Sequence, residues 1–133
     1  MVIMKLLTLS LGFIVLLAGC AAPSQTSETA VEPTGVKHEI EISSAGFSPR
    51  QSSMNLGDTL VFVNKDVAQH WPASDIHPTH NVYPEKGGCL GSKFDACKGL
   101  NEGQKYEFTF LHSGNWCFHD HLNPGLTGCV DVQ

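Results

Sequence analysis

Apolar and polar side chains alternate along several short segments of the chain, and this period of two is typical of β-strands with one buried face. No segment shows a convincing helical period. Gly, Pro and Asn separate the segments, which favours an antiparallel sandwich or barrel. The predicted strands are residues 36–42, 59–64, 104–110, 114–120 and 129–132. We therefore predict an all-β fold.

Residues 71–103 interrupt this pattern. The segment lacks a long hydrophobic period and is rich in Pro, Gly, His and Asp. Insertions of this length in a compact domain are usually either functional or disordered. Two cysteines and the aromatic residues Tyr83 and Phe94 lie within it, and they favour an ordered segment.

The first nineteen residues are predicted to be a removable leader rather than part of the fold. Lys5 precedes a nearly continuous apolar run over residues 6–17, which is short for a membrane-spanning helix. The sequence Leu17-Ala18-Gly19-Cys20 resembles the lipobox of bacterial lipoproteins, which implies a lipid on Cys20. A plain signal peptide or a short membrane anchor is the alternative.

The remaining chain divides into a tether and one domain. Residues 20–35 are small, polar and Pro-containing, so they are predicted to be a flexible linker. Residues 36–133 are long enough for a single compact domain. The formal net charge is −5, and no basic run is present to bind nucleic acid. No Ser-His-Asp order, paired glutamates or nucleotide-binding loop stands out.

Five cysteines are present, and four remain when Cys20 is assigned to the lipid. An even number of cysteines in an exported domain indicates disulfides, and four cysteines allow three pairings. We favour Cys89 with Cys97, which closes a short loop, and Cys117 with Cys129, which lie on the last two predicted strands. Thiolate ligation of a metal by Cys89 and Cys97 is the alternative.

Three pieces of the sequence resemble the cupredoxins, the small blue-copper β-barrels. The first is residues 45–49 with residues 57–64, and the second is residues 64–66 with His70 four positions after Asp66. The third is the final hairpin, whose residues 126–128 look like the family's Met-x-Gly ending. The resemblance covers about residues 36–132. It implies a cupredoxin-like Greek-key β-sandwich, with His70 at the place of the family's first histidine ligand.

The resemblance does not supply a blue-copper ligand set, which comprises two His, one Cys and an axial Met. Strand alternation from Gly114 places Asp120 where the family has its cysteine, with Asn123 and Leu126 at the remaining ligand positions. A rival register uses Cys117 as the thiolate and His121 as the second imidazole. Alternation opposes this register, because Cys117 would then have to face inward between two aromatic residues.

Histidine density is the strongest remaining indication of function. Five histidines fall in the two loop regions that meet at one end of a cupredoxin barrel. Imidazoles suit copper and zinc, and a carboxylate such as Asp120 or Asp75 can complete or orient the shell. The predicted ligands are His70, His80, His119 and His121, with His77 and Asp120 as second choices.

The sequence therefore predicts an exported, membrane-anchored protein, on the outer face of a cell membrane or in the periplasm. It would bind copper, or alternatively zinc, for copper handling or electron transfer, with a redox or copper-donor protein as partner. Two other functions stay open, a metal-free β-sandwich interaction module and a small copper-dependent redox enzyme. A binding or electron-transfer protein is favoured over an enzyme, because no substrate pocket can be inferred.

Overall fold

The computed structural model describes residues 30–133, so the predicted leader and the lipid site at Cys20 lie outside the described residues. Eight strands follow one another without an α-helix in this part of the chain. Within the described residues, no helix has the length and apolar character required to cross a membrane. The strands are β1 Lys37–Ser43, β2 Gly46–Ser48, β3 Gln51–Met54, β4 Thr59–Asn64, β5 Pro72–Ser74, β6 Lys105–Thr109, β7 Gly114–Asp120 and β8 Asn123–Val132.

The strands form two four-stranded sheets, which confirms the predicted all-β sandwich. One sheet has the order β2-β1-β4-β6, and the other has the order β3-β8-β7-β5. Two of the pairs, β1 with β4 and β3 with β8, are parallel, so both sheets are mixed rather than purely antiparallel. Strands β2, β3 and β5 were not predicted, because each has only three or four residues, too few to show an alternating pattern.

The core lies between the sheets and is dominated by aromatic rings. Phe62 on β4 contacts Phe118 on β7 edge to face, with ring centroids 5.1 Å apart, and Phe47 contacts Phe118 at 4.9 Å. Such edge-to-face pairs add to the stability that burial of the rings provides. Because Phe118 is completely buried, the register of β7 is fixed directly before His119.

The segment 71–103 is ordered, as predicted. Tyr83 and Phe94 are almost fully buried and belong to the main core. The segment also contains β5 and the favoured disulfide between Cys89 and Cys97. The segment therefore packs against the sandwich, and this packing holds its polar side chains in fixed positions.

Strand β7 ends in an irregular turn that sets the direction of its polar residues. Cys117 faces Cys129 across β7 and β8, and the two form the second favoured disulfide. The ladder then shifts register between His119 and Asp120. Such bulges re-aim side chains at the ends of strands.

Candidate metal centre

Four histidines converge at one end of the sandwich. Each offers one ring nitrogen, and the four nitrogens lie within 4.8 Å of one another. Two of the imidazoles are buried, one is half-buried and one is exposed, so the cluster reaches from the interior to the surface. The members of this histidine cluster are His77, His80, His119 and His121.

His80 is completely buried and is held from behind by a carboxylate. Its Nδ1–H donates to Oδ2 of Asp95 at 2.6 Å. This contact fixes the tautomer, so Nε2 of the neutral ring carries the lone pair. A carboxylate that orients a ligand histidine in this way is a common feature of metal sites.

His119 repeats the arrangement on strand β7. Its Nδ1–H donates to Oδ1 of Asp75 at 3.0 Å, and its Nε2 is buried without a hydrogen-bond partner in residues 30–133. Burying an unpaired acceptor is costly, so such an atom needs an explanation. One explanation is that this lone pair is available to a cation, and the other imidazoles of the cluster lie close enough to share it.

His121 completes the inner part of the cluster. Since Nε2 of His80 has no proton, it accepts a hydrogen bond from Nδ1–H of His121 at 2.8 Å. The imidazole of His121 also lies against the indole of Trp71, with ring centroids 4.3 Å apart. In the other neutral tautomer of His121, Nδ1 carries a lone pair, so both nitrogens of this contact would then be available to hold a cation. His77, whose ring lies 4.8 Å from that of His121, provides the exposed side of the cluster.

His70 and Asp120 form a separate pair and do not join the cluster. His70 Nδ1 lies 2.8 Å from Oδ2 of Asp120, and its Nε2 lies 3.3 Å from Oδ2 of Asp66. Both ring nitrogens therefore already have carboxylate partners, and His70 is not among the residues whose ligand atoms converge. Among the predicted ligands, His77 takes the place in the cluster that the sequence analysis gave to His70.

Asp120 is likewise used by the fold. Its Oδ1 accepts the backbone N–H groups of Trp71 at 2.7 Å and Leu122 at 3.1 Å. These bonds tie the start of β5 to the turn after β7. The residue thus stabilises the framework around the cluster.

The blue-copper ligand set does not fit this structure. The rival register requires a free Cys117 thiolate, but Cys117 is joined to Cys129. The favoured register places Asp120 at the cysteine position, and Asp120 is paired with His70. The four-histidine cluster does fit a metal, because two of its members carry carboxylates on Nδ1 and present Nε2 lone pairs. Imidazole nitrogens are suitable ligands for both copper and zinc.

Burial keeps two members of the cluster ready to bind a cation at neutral pH. It is the main cause that lowers the pKa of His119, and the neighbouring His80 lowers it further, while the bond to Asp75 acts in the opposite direction. The pKa of His121 is also lowered, by burial and by the nearby His80 and His77. A metal ligand must be unprotonated, so lowered pKa values favour binding.

The lowered pKa of His119 predicts how the stability of the metal-free protein depends on pH. An unfolded histidine titrates near about 6.5, so the unfolded chain takes up this proton before the folded chain does. Stability present above that pH is therefore lost as the pH falls through the lowered folded-state pKa. We expect the Tm with chelator present to fall between about pH 7 and pH 5, and His119→Gln to make the fall shallower. Equal slopes in the two proteins would contradict this assignment.

The comparisons with known proteins support the fold. No family model and no curated relative matches the sequence. Among solved structures, a purple cupredoxin from Nitrosopumilus maritimus matches with a TM-score of 0.58 and 20% identity, covering 71% of this chain and 98% of that one. An oxidised mutant of amicyanin matches with a TM-score of 0.56 and 22% identity, covering 71% and 80%. A reduced mutant of amicyanin gives 0.57 and 19%, covering 81% and 95%.

The chain therefore has the cupredoxin fold. These identities establish the architecture and leave the site to be argued from this chain's own residues. Asp75 was predicted as a possible orienting carboxylate, but Asp95, which holds His80, was not predicted. Asp95 lies between Phe94 and Ala96 and has no distinctive spacing from any histidine, so only the packing of the segment 71–103 reveals its role.

Proposed function

We propose that this protein is an exported copper-binding protein that holds Cu(II) through the four-histidine cluster and serves in copper handling. The observation that carries the proposal is the convergence of four ring nitrogens within 4.8 Å. The buried, unpartnered Nε2 of His119 supports it. Sites made of nitrogen ligands bind Cu(II) more tightly than Zn(II), which favours copper over zinc.

Copper handling is favoured over blue-copper electron transfer for a chemical reason. A blue-copper site requires a cysteine thiolate, and the cysteines in residues 30–133 are all in disulfides. The exposed imidazole of His77 gives a cation, or a copper-donor protein, direct access to the cluster. Uptake and release of the metal are consistent with this half-open arrangement.

Titration of the metal-free protein with Cu(II), followed by visible and electron paramagnetic resonance spectroscopy, tests the proposal. We expect one equivalent to bind, with weak visible absorption and with hyperfine coupling to imidazole nitrogens. Intense blue absorption would instead indicate a thiolate ligand. Absence of binding would favour the metal-free interaction module, and turnover of a small oxidant by the loaded protein would favour the redox enzyme.

The location of the protein is a second part of the proposal. The Leu17-Ala18-Gly19-Cys20 sequence supports lipidation at Cys20, and the predicted linker that ends at residue 35 would then separate the membrane from the sandwich. We expect Cys20→Ser to release the domain from the membrane fraction or to leave the precursor uncleaved. Fractionation with an antibody against the domain measures this, and unchanged fractionation with unchanged N-terminal processing would contradict it.

A further inference from the structure

We propose that the Cys89–Cys97 disulfide controls the metal affinity of the histidine cluster, so that its reduction by a dithiol weakens the site. This inference rests on the proposed copper-binding function. It concerns regulation, and it depends on a chain of contacts that runs from the disulfide to His80 through a single carboxylate.

Asp95 is the central residue of that chain. Its Oδ1 accepts the backbone N–H of Cys97 at 2.7 Å, and its Oδ2 accepts Nδ1–H of His80 at 2.6 Å. Oδ1 also accepts Nε1–H of Trp71 at 2.6 Å, and Trp71 lies against His121. The Asp95 side chain is completely buried, so its direction is set by these partners. A movement of Cys97 therefore reaches two members of the cluster.

The disulfide holds Cys97 in the conformation that this contact requires. Cys97 has a φ of 59°, in the left-handed region that residues other than glycine seldom occupy. Such a conformation persists only where surrounding contacts impose it. The bond to Cys89 is one of those contacts, and the N–H of Cys89 also donates to Sγ of Cys97 at 3.2 Å.

The loop closed by the disulfide also contacts the backbone of His80. The N–H of Ser92 donates to the carbonyl oxygen of His80 at 2.7 Å. Gly91 lies so close that a Cβ there would be 2.1 Å from the carbonyl oxygen of Thr79 and 2.6 Å from that of His80. His80 itself has a φ of 49°, so its backbone also depends on its neighbours. These contacts keep His80 beside the loop, where the side chain of Asp95 can reach it.

The two disulfides differ in their access to a reductant. Cys89 and Cys97 are exposed, whereas Cys117 and Cys129 are half-buried between paired strands. A thiolate of the dithiol attacks one Sγ of this pair, forming a mixed disulfide and releasing the other cysteine as a thiolate. The second thiol of the reductant then displaces the first cysteine. The dithiol is oxidised to its own disulfide, and two electrons and two protons pass to Cys89 and Cys97.

Cu(II) calorimetry at one pH, without reductant, tests the coupling in four proteins. These are the wild type, the Cys89→Ser/Cys97→Ser double variant, Asp95→Asn and the combined triple variant. We expect the double variant to bind Cu(II) about tenfold more weakly, the size of effect typical for loss of a group that orients a ligand. Because the disulfide acts through Asp95, the triple variant should bind Cu(II) at most about twofold more weakly than Asp95→Asn does.

A measurement on the metal-free protein separates this inference from the proposed function. The proton on Nδ1 of His80 is hydrogen-bonded to Asp95, and its nuclear magnetic resonance signal should shift or disappear in the double variant. If the wild type binds no Cu(II), the proposed function and this inference are both wrong. If the wild type binds Cu(II) and the double variant matches it within about twofold, only the inference is wrong.

The remaining outcomes are also decisive. Additive effects in the triple variant would overturn coupling through Asp95, and so would global unfolding of the double variant, since the proposed change is local. Reduction of the wild type, alkylation of the exposed pair and removal of the reductant should reproduce the weaker binding. Reoxidation of unalkylated protein should restore it.

Discussion

Replacing His121 with alanine is expected to lower the affinity for Cu(II) by at least about a hundredfold, or about 2.7 kcal/mol. The substitution removes one of four converging imidazoles and frees Nε2 of His80 from its only partner in the cluster. The fold should tolerate the change, because His121 is half-buried and its backbone N–H still donates to the carbonyl oxygen of Trp71. Calorimetry with a competing chelator measures the loss.

His112→Ala is the matched control for this variant. His112 is an exposed histidine outside the cluster, and its Nε2 lies 3.3 Å from Oε1 of Glu85. The control should bind Cu(II) as the wild type does. A second readout is the fluorescence of Trp71, which Cu(II) beside the contacting imidazole should quench. Equal affinity in His121→Ala and the control would place the copper site elsewhere in the chain.

Much of the fold could be predicted from the sequence because its strands obey a local rule. Alternation in residues 36–42 and 104–110 reports which face is buried, and the structure places β1 and β6 within one residue of those limits. Alternation also placed Cys117 on the face away from Phe118, which led to the disulfide with Cys129. The direction of strand pairing could not be predicted, since a strand's own residues do not show whether its neighbour is parallel or antiparallel.

The site could be predicted only in part, because it depends on contacts between distant segments. The density of histidines indicated that His80, His119 and His121 would lie close together, and the structure brings their rings together. The choice between His70 and His77 required knowing where the segment 71–103 packs. The resemblance favoured His70. In the structure, however, each ring nitrogen of His70 lies next to a carboxylate, Nδ1 next to Asp120 and Nε2 next to Asp66.

The contacts with two carboxylates give His70 a structural role. We therefore expect His70→Ala to cause a large loss of stability. The variant leaves the carboxylate of Asp120, which is completely buried, without its imidazole partner. Leaving a buried polar group without a hydrogen-bond partner costs about 1–3 kcal/mol, and more for a charged group. Two backbone N–H groups still donate to Asp120 and limit the loss, which we expect to be about 3 kcal/mol. Chemical denaturation of the metal-free protein measures the free energy of unfolding.

The same variant separates a structural histidine from a ligand. Because His70 is not among the converging imidazoles, folded His70→Ala should bind Cu(II) within about tenfold of the wild type, 1.4 kcal/mol. The double variant His70→Ala/Asp120→Asn is the control for stability, since the amide replaces a buried charge and should recover part of the loss. His121→Ala shows the opposite pattern, with weak binding and a stable fold. A His70→Ala protein that is stable but no longer binds Cu(II) would return His70 to the ligand set.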